Sequence, residues 1–309
     1  LLIRGVGASS ALNMKDIQVG WLEISNNTTL ATYAALEPTN LKQAWFHDIK
    51  IHDWLGDGIN TGLHTAWHKV HGVVFENMEI GPNVGNNTAL CQPITTAALY
   101  AHGSEYSDAD AGGGVWLINS KIHDNYTTGF NGHGSLSGGE DGIVKVRDTQ
   151  FYGNGRVNEC NQGMQYAGDA IDAYQGTGFA LPEQTVVSIR NVFYDNKVGI
   201  ESPHGGGSMW QWHTTLFRGA QPGWGVIGTK NDTAVLAFYN GILDNSASGM
   251  WPLFTWFGGS GTPLDQGKTV PIVLNTLARG NSISANASGL DTQCTSDNGV
   301  TFPSSVPCW

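Results

Sequence analysis

Charge is scarce in this chain. Of 309 residues only 13% are Asp, Glu, Lys or Arg, and 15 Lys+Arg face 26 Asp+Glu, a formal net charge of −11. An acidic surface argues against nucleic acid and anionic membranes as partners, and mildly against a strongly polyanionic substrate unless cations bridge. Long apolar runs are missing too, which excludes a membrane-spanning helix. No initiator Met and no signal peptide precede the strand-like LLIRGVG at Leu1, so a mature or trimmed product is expected. Cysteine is sparse: Cys91, Cys160, Cys294 and Cys308. None lies in a CxxC or His-Cys cluster, so no metal is expected there, and an even number is better read as disulfides.

Glycine, by contrast, is abundant at 42 residues, which suits strands and tight turns rather than helices. Glycosylation sequons begin at Asn26, Asn27, Asn86, Asn125, Asn231 and Asn286. With the cysteines they point to an extracellular or cell-surface glycoprotein.

One pattern recurs along the chain. An Asn or Asp is followed two or three residues later by a large apolar residue. The pairs are Asp16/Val19, Asp48/Ile51, Asn77/Ile80, Asn119/Ile122, Asp148/Phe151, Asn191/Phe193, Asn240/Ile242 and Asn275/Leu277. Trp212–Phe217 resembles the same strands and fills the longest gap, which brings the expectation to about nine coils. Alternation in Val144-Lys145-Val146 and Val187-Ser188-Ile189 reads as strand with one face buried. The Asn or Asp suits a sharp bend, because these residues tolerate the left-handed backbone. A second strand follows in Gly58-Ile59, Ala98-Leu99, Gly129-Phe130, Ala170-Ile171, Gly199-Ile200 and Gly249-Met250.

Ser188–Ile200 and Ile122–Phe130 resemble repeats of the right-handed parallel β-helix, the pectin-lyase-like superfamily, and the resemblance covers nearly the whole chain. It implies an all-β, single-stranded right-handed parallel β-helix over residues 1–290, with 291–309 as a disulfide-closed C-terminal cap. That superfold hosts lyases, hydrolases, epimerases and adhesins, so it implies no single activity. Insertions at 81–97 and 152–168 leave the same corner, on coils separated by one other. A Cys91–Cys160 disulfide is expected there, with Cys294–Cys308 closing a small loop worth roughly 3 kcal/mol.

Stacking the second strands on their Gly or Ala sets one row. It reads Asn60, Tyr100, Asn131, Asp172, Glu201 and later Trp251; two positions on it reads His102, His133 and Tyr174, then Pro203 with His204 beside it. Asp172 and Glu201 come from neighbouring coils. Two carboxylates that close raise one pKa and divide acid from base, at a spacing suited to a retaining glycosidase. His133 joins them as the third expected catalytic residue. Tyr100, His102, Asn131, Tyr174, His204 and Trp251 offer the ring faces and polar groups a sugar needs. The same row also reads as a solvated face, or as a Ca²⁺ site.

Two partial motifs add little. Asn131-Gly132-His133-Gly134 resembles the Gly-His-Gly of polygalacturonase-like hydrolases, but that family's Asn-Thr-Asp, Asp-Asp and Arg-Ile-Lys are not present. Gly199–His204 resembles the Asp-Pro-His of alginate epimerases, and Glu201-Ser202 breaks the match. No role is carried from either. The row has no Arg or Lys base, so hydrolysis is expected over elimination. His52, His64, His68 and His71 are spread over different strand and turn positions and are expected to be satisfied or solvated, with no metal.

Two functions remain. One is an extracellular enzyme or binding protein for polysaccharide. The other is a non-catalytic structural or adhesive glycoprotein, a filament or surface-layer subunit. No capping helix precedes Leu1, so an open first edge and end-to-end self-association are expected under the second.

Overall fold

The computed structural model describes residues 2–4, 14–25, 34–39, 41–60, 70–85, 97–102, 115–126, 128–133, 143–155, 169–174, 185–196, 198–201, 208–213, 215–217, 227–229, 234–244, 254–256, 269–274, 277–279, 294–295 and 301–302. Among them every regular element is a β-strand. The chain opens with β1 (Leu2–Arg4), β2 (Met14–Ile24), β3 (Glu37–Thr39), β4 (Leu41–Ile51) and β5 (Ile59–Asn60). Groups of three follow. They are β6 (Val70–Glu76), β7 (Glu79–Ile80), β8 (Ala97–His102); β9 (Val115–Ile118), β10 (Lys121–His123), β11 (Thr128–His133); and β12 (Ile143–Arg147), β13 (Gln150–Tyr152), β14 (Asp169–Tyr174). Three more are β15 (Thr185–Ile189), β16 (Val192–Tyr194), β17 (Val198–Glu201); β18 (Ser208–Trp212), β19 (Thr215–Phe217), β20 (Ile227–Thr229); and β21 (Ala234–Tyr239), β22 (Ile242–Asp244), β23 (Phe254–Trp256). The series ends with β24 (Thr269–Leu274), β25 (Leu277–Arg279), β26 (Cys294–Thr295) and β27 (Thr301–Phe302).

Each strand of a group pairs in parallel with its counterpart in the next group. One ladder runs from β6 through β9, β12, β15, β18 and β21 to β24, and another from β7 through β10, β13, β16, β19 and β22 to β25. They meet at β4, whose first part pairs with β6 and whose end pairs with β7, so both belong to one curled sheet. β2 lies along β4. A separate ladder runs from β5 through β8, β11, β14, β17 and β20 to β23. Among the described strands the one antiparallel pair is β26–β27, inside the segment expected as a cap.

The curl comes from one backbone choice repeated in register. Trp21, Asp48, Asn77, Asn119, Asp148, Arg190, His213 and Asn240 all have φ between 48° and 58°. Left-handed residues at one level turn every strand the same way. Asp and Asn tolerate this best, and they fill five of the eight places. Their side chains also stack: Asn77 donates to Asp48 at 2.6 Å, and Asn119 to Asn77 at 3.0 Å.

Just past the corner the large apolar residues line up. Ile51, Ile80, Ile122, Phe151 and Phe193 are in register and at most 1% exposed, and the Phe151 and Phe193 rings stack at 4.8 Å. The expected pairs need three corrections. Val19 pairs with Phe46, and Ile24 stands opposite Ile51. Leu243 and Ala278 continue the line, whereas Ile242 and Leu277 precede it by one. At Arg190-Asn191 the left-handed residue is Arg190, which frees Asn191 to point its amide inward. The Trp212–Phe217 segment does form a unit, with β18 and β19 joined through a left-handed His213.

The interior is not all apolar. Ser188, expected on the polar face of its strand, is in register with Val146 and fully buried, and Asn191 Nδ2 donates to its hydroxyl at 2.6 Å. A second corner holds Asp53, Asn83, Asp124, Gly153 and Asp195, again with positive φ. Behind it runs a buried amide ladder. Asn125 Nδ2 donates to Asn154 Oδ1 at 2.9 Å and to Ile80 O at 3.0 Å; Asn154 Nδ2 donates to Asn196 Oδ1 at 2.9 Å and to Ile122 O at 3.0 Å. Asn196 Nδ2 continues to Phe151 O at 2.9 Å. Buried amides such as these stabilise only because each is satisfied. Replacing Asn154 with Ala or Leu strands partners on both sides. It should cost roughly 2–4 kcal/mol in denaturant unfolding, while Gln150→Ala on the exposed face should cost less than about 0.5 kcal/mol.

Candidate functional site

The expected row lies on the seven-stranded ladder. Asn60 pairs with Tyr100, Tyr100 with Asn131, and Asn131 with Asp172. His102, His133 and Tyr174 pair two residues further on. Ile171 pairs with Ile200, so Asp172 and Glu201 stand one residue beyond the same pair on adjacent strands. Parallel neighbours of this kind lie about 4.8 Å apart. Beyond Glu201 the row passes to Gly228 and then Thr255, which displaces the expected Trp251 from the register. Trp251 and His204 lie outside the described residues, as do Cys91, Cys160 and Cys308, while Cys294 lies in β26.

Among the sequons, Asn26, Asn27, Asn86, Asn231 and Asn286 lie outside the described residues. Asn125 does not, and it overturns the expected glycan there. Its side chain is fully buried, and the nitrogen a glycan would occupy is spent on Ile80 and Asn154.

The described side chains assemble a polar surface that the row does not include. The dipeptide His-Asp occurs at 47–48, 52–53 and 123–124, and each time the Asp is left-handed. That turn folds the carboxylate back onto the preceding ring: His Nδ1 meets Asp Oδ2 at 2.7, 2.7 and 2.9 Å. His52 also reaches Glu23 through Nε2 at 2.8 Å. Beside it Lys50 and Glu79 pair at 2.9 Å, with His123 Nε2 3.9 Å from the same Glu79 oxygen. Further along, His123, Tyr152 and Tyr194 stack face to face at 4.8 and 4.9 Å. The recurring His-Asp dipeptide was the available signal for this cluster.

Electrostatics follow the geometry. Hydrogen bonds to Asp53 first, and then Glu23, hold the His52 pKa above its usual value. Asn83, and then His52, hold the Asp53 carboxyl below its usual value. Lys50 holds Glu79 low, chiefly by its hydrogen bond. Burial raises the Tyr152 phenol, with Tyr194 adding to it. Among the described residues no three His, Cys, Asp or Glu side chains converge to hold a metal, and no helix is long and apolar enough to cross a membrane.

Comparison with protein-family models, curated proteins and solved structures yields no match, so no relative supplies a function.

The His52 network generates a pH signature. A histidine raised in the folded state stabilises fully below its unfolded pKa, near 6.5, and loses that contribution as pH rises through the raised value. Asp53 contributes above its unfolded value, near 3.9, and loses it as pH falls through the lowered one. Unfolding of wild type and His52→Gln should therefore differ most between about pH 4 and 6.5. The difference should shrink toward pH 9, and a constant offset would contradict the network.

Proposed function

We propose that this chain is an extracellular right-handed parallel β-helix of about nine coils that binds and hydrolyses polysaccharide along the seven-stranded ladder. The observation that carries the reading is the register of Asn60, Tyr100, Asn131 and Asp172, with Glu201 on the next strand. In this reading one of the two carboxyls is held protonated by the other's charge and acts as acid, and its partner acts as nucleophile. A strand-to-strand spacing of about 4.8 Å suits a covalent, retaining route better than the roughly 6.5–9.5 Å that leaves room for an attacking water. His133, in line with His102 and Tyr174, lies two residues from Asn131 and completes the polar wall.

A second reading, a structural subunit, has its own support. β2 is eleven residues long, and among the described strands it pairs with β4 alone. A long edge of that kind can template another copy.

Reducing-end release from a panel of polysaccharides tests the first reading. Asp172→Asn and Glu201→Gln should each lower kcat by about 10³-fold or more and leave binding of the same polysaccharide intact. Unchanged turnover in either variant would remove the row from the chemistry. Ordered end-to-end fibres of the native protein by electron microscopy, without turnover, would favour the subunit.

A further inference from the structure

On the curled sheet, away from the row's own ladder, β2 and β4 carry a group of rings that the row does not use. Trp21 and Trp45 are the exposed large hydrophobic residues among those described, at 77% and 41%. His47 is wedged between them and is 3% exposed. Its ring meets Trp21 edge-on at 4.7 Å and 88°, and overlies Trp45 at 4.1 Å and 30°. The two indoles are therefore steeply inclined to one another.

The wedge is fixed from every side. Gln18 Nε2 can only donate, so His47 Nε2 accepts at 2.9 Å, and Nδ1–H donates to Asp48 Oδ2 at 2.7 Å. Gly20 lies under the ring, where a Cβ would run into it. Trp45 Nε1 donates to Glu76 Oε2 at 3.1 Å, which fixes the second indole.

Trp21 itself is anomalous. It occupies the corner with φ 56°, where the other units place Asp, Asn, Arg or His. A bulky residue in the left-handed region is a genuine outlier, and outliers of this kind cluster at functional sites. In return the indole makes one edge contact, with His47, and is otherwise mostly exposed.

We infer that Trp21 and Trp45, propped apart by His47, form a binding site for a single chain of a neutral glycan. Indole faces cover the C–H face of a pyranose, and the rim supplies partners for its hydroxyls through exposed Gln18, Gln43 and Asn77. The rim is acidic: Asp48 and Glu76 bond to His47 and Trp45, and Asp16 is exposed on the strand that carries Trp21. Such a field repels uronates, and it repels the same patch on a second copy. Two isolated indoles are also too little apolar surface for a stable protein interface, which buries about 1,200 Å² or more. Inclined rings grip one chain from two sides and fit poorly on a flat crystalline face. This site does not rest on the Asp172–Glu201 reading.

Calorimetric titration tests it with soluble hexasaccharides of β-1,4-linked glucose, xylose and N-acetylglucosamine, and with oligogalacturonate. At least one neutral hexasaccharide should bind the wild type, and oligogalacturonate should not. Trp21→Asn puts a preferred corner residue in place, so its melting temperature should hold or rise while affinity falls at least tenfold. Trp45→Ala should weaken binding similarly. Glu201→Gln should leave this affinity unchanged even where it abolishes hydrolysis, which separates the two sites. The inference is overturned if no neutral hexasaccharide binds, if Trp21→Asn binds as tightly as wild type, or if sedimentation shows a wild-type dimer that Trp21→Asn dissolves.

Discussion

The left-handed corner is the constraint on which everything else depends. Asp48, Asn77, Asn119 and Asp148 each reverse the sign of φ at the same level of successive units. Between corners the backbone is free to pair in parallel, and the side chains just past each corner are forced inward. A polar residue at the turn is therefore what puts Ile51, Ile80, Ile122 and Phe151 into one buried line. Aromatic stacking and hydrophobic burial then stabilise a path that sterics have already chosen.

The corner also arranges chemistry. A left-handed Asp after a His brings carboxylate and imidazole into contact without help from any distant residue. Three such pairs form in this way, and two of them recruit a further carboxylate from a neighbouring unit, Glu23 at His52 and Glu79 at His123. Local backbone geometry and long-range strand register thus cooperate in one surface. The same corner holds Trp21 in a conformation that suits it badly, so the feature that organises the fold also displays the most exposed indole among the described residues.

Much of this was legible in the residues. Asn or Asp before a large apolar residue marks a bend and a buried anchor, and it located Ile51 through Phe193. The phase slipped at Trp21 and Arg190, where the corner residue is neither Asn nor Asp, and by one residue past Asn240, where Leu243 rather than Ile242 is in line. Trp21, Arg190 and His213 carry no such signal, so Val19 was mistaken for an anchor and Asn191 for a bend. Alternation misled at Ser188, because a buried amide partner makes an inward serine stable. The order of the Asp172 row was readable from strand spacing as far as Glu201. Trp251 was drawn from Gly249-Met250, whereas the paired residues of that unit are Phe254–Trp256, so Thr255 holds the place expected for it. The indole pair was missed because Trp21 and Trp45 are far apart in sequence and only register brings them together.

The amide ladders have a sense of direction. Inside, each amide gives one hydrogen to the next amide, Asn125 to Asn154 and Asn154 to Asn196, toward the later unit, and also donates to a carbonyl of the earlier unit, Ile80 or Ile122. Outside, Asn119 gives to Asn77, Asn77 to Asp48 and Asn83 to Asp53, always toward the earlier one. The two strings are polarised head to tail in opposite senses, side by side along the stack. Each outer string runs down to a carboxylate, a group that only receives. Asp48 and Asp53 are thus electrical full stops: each takes in a hydrogen bond from the later unit and passes none of its own to the earlier one.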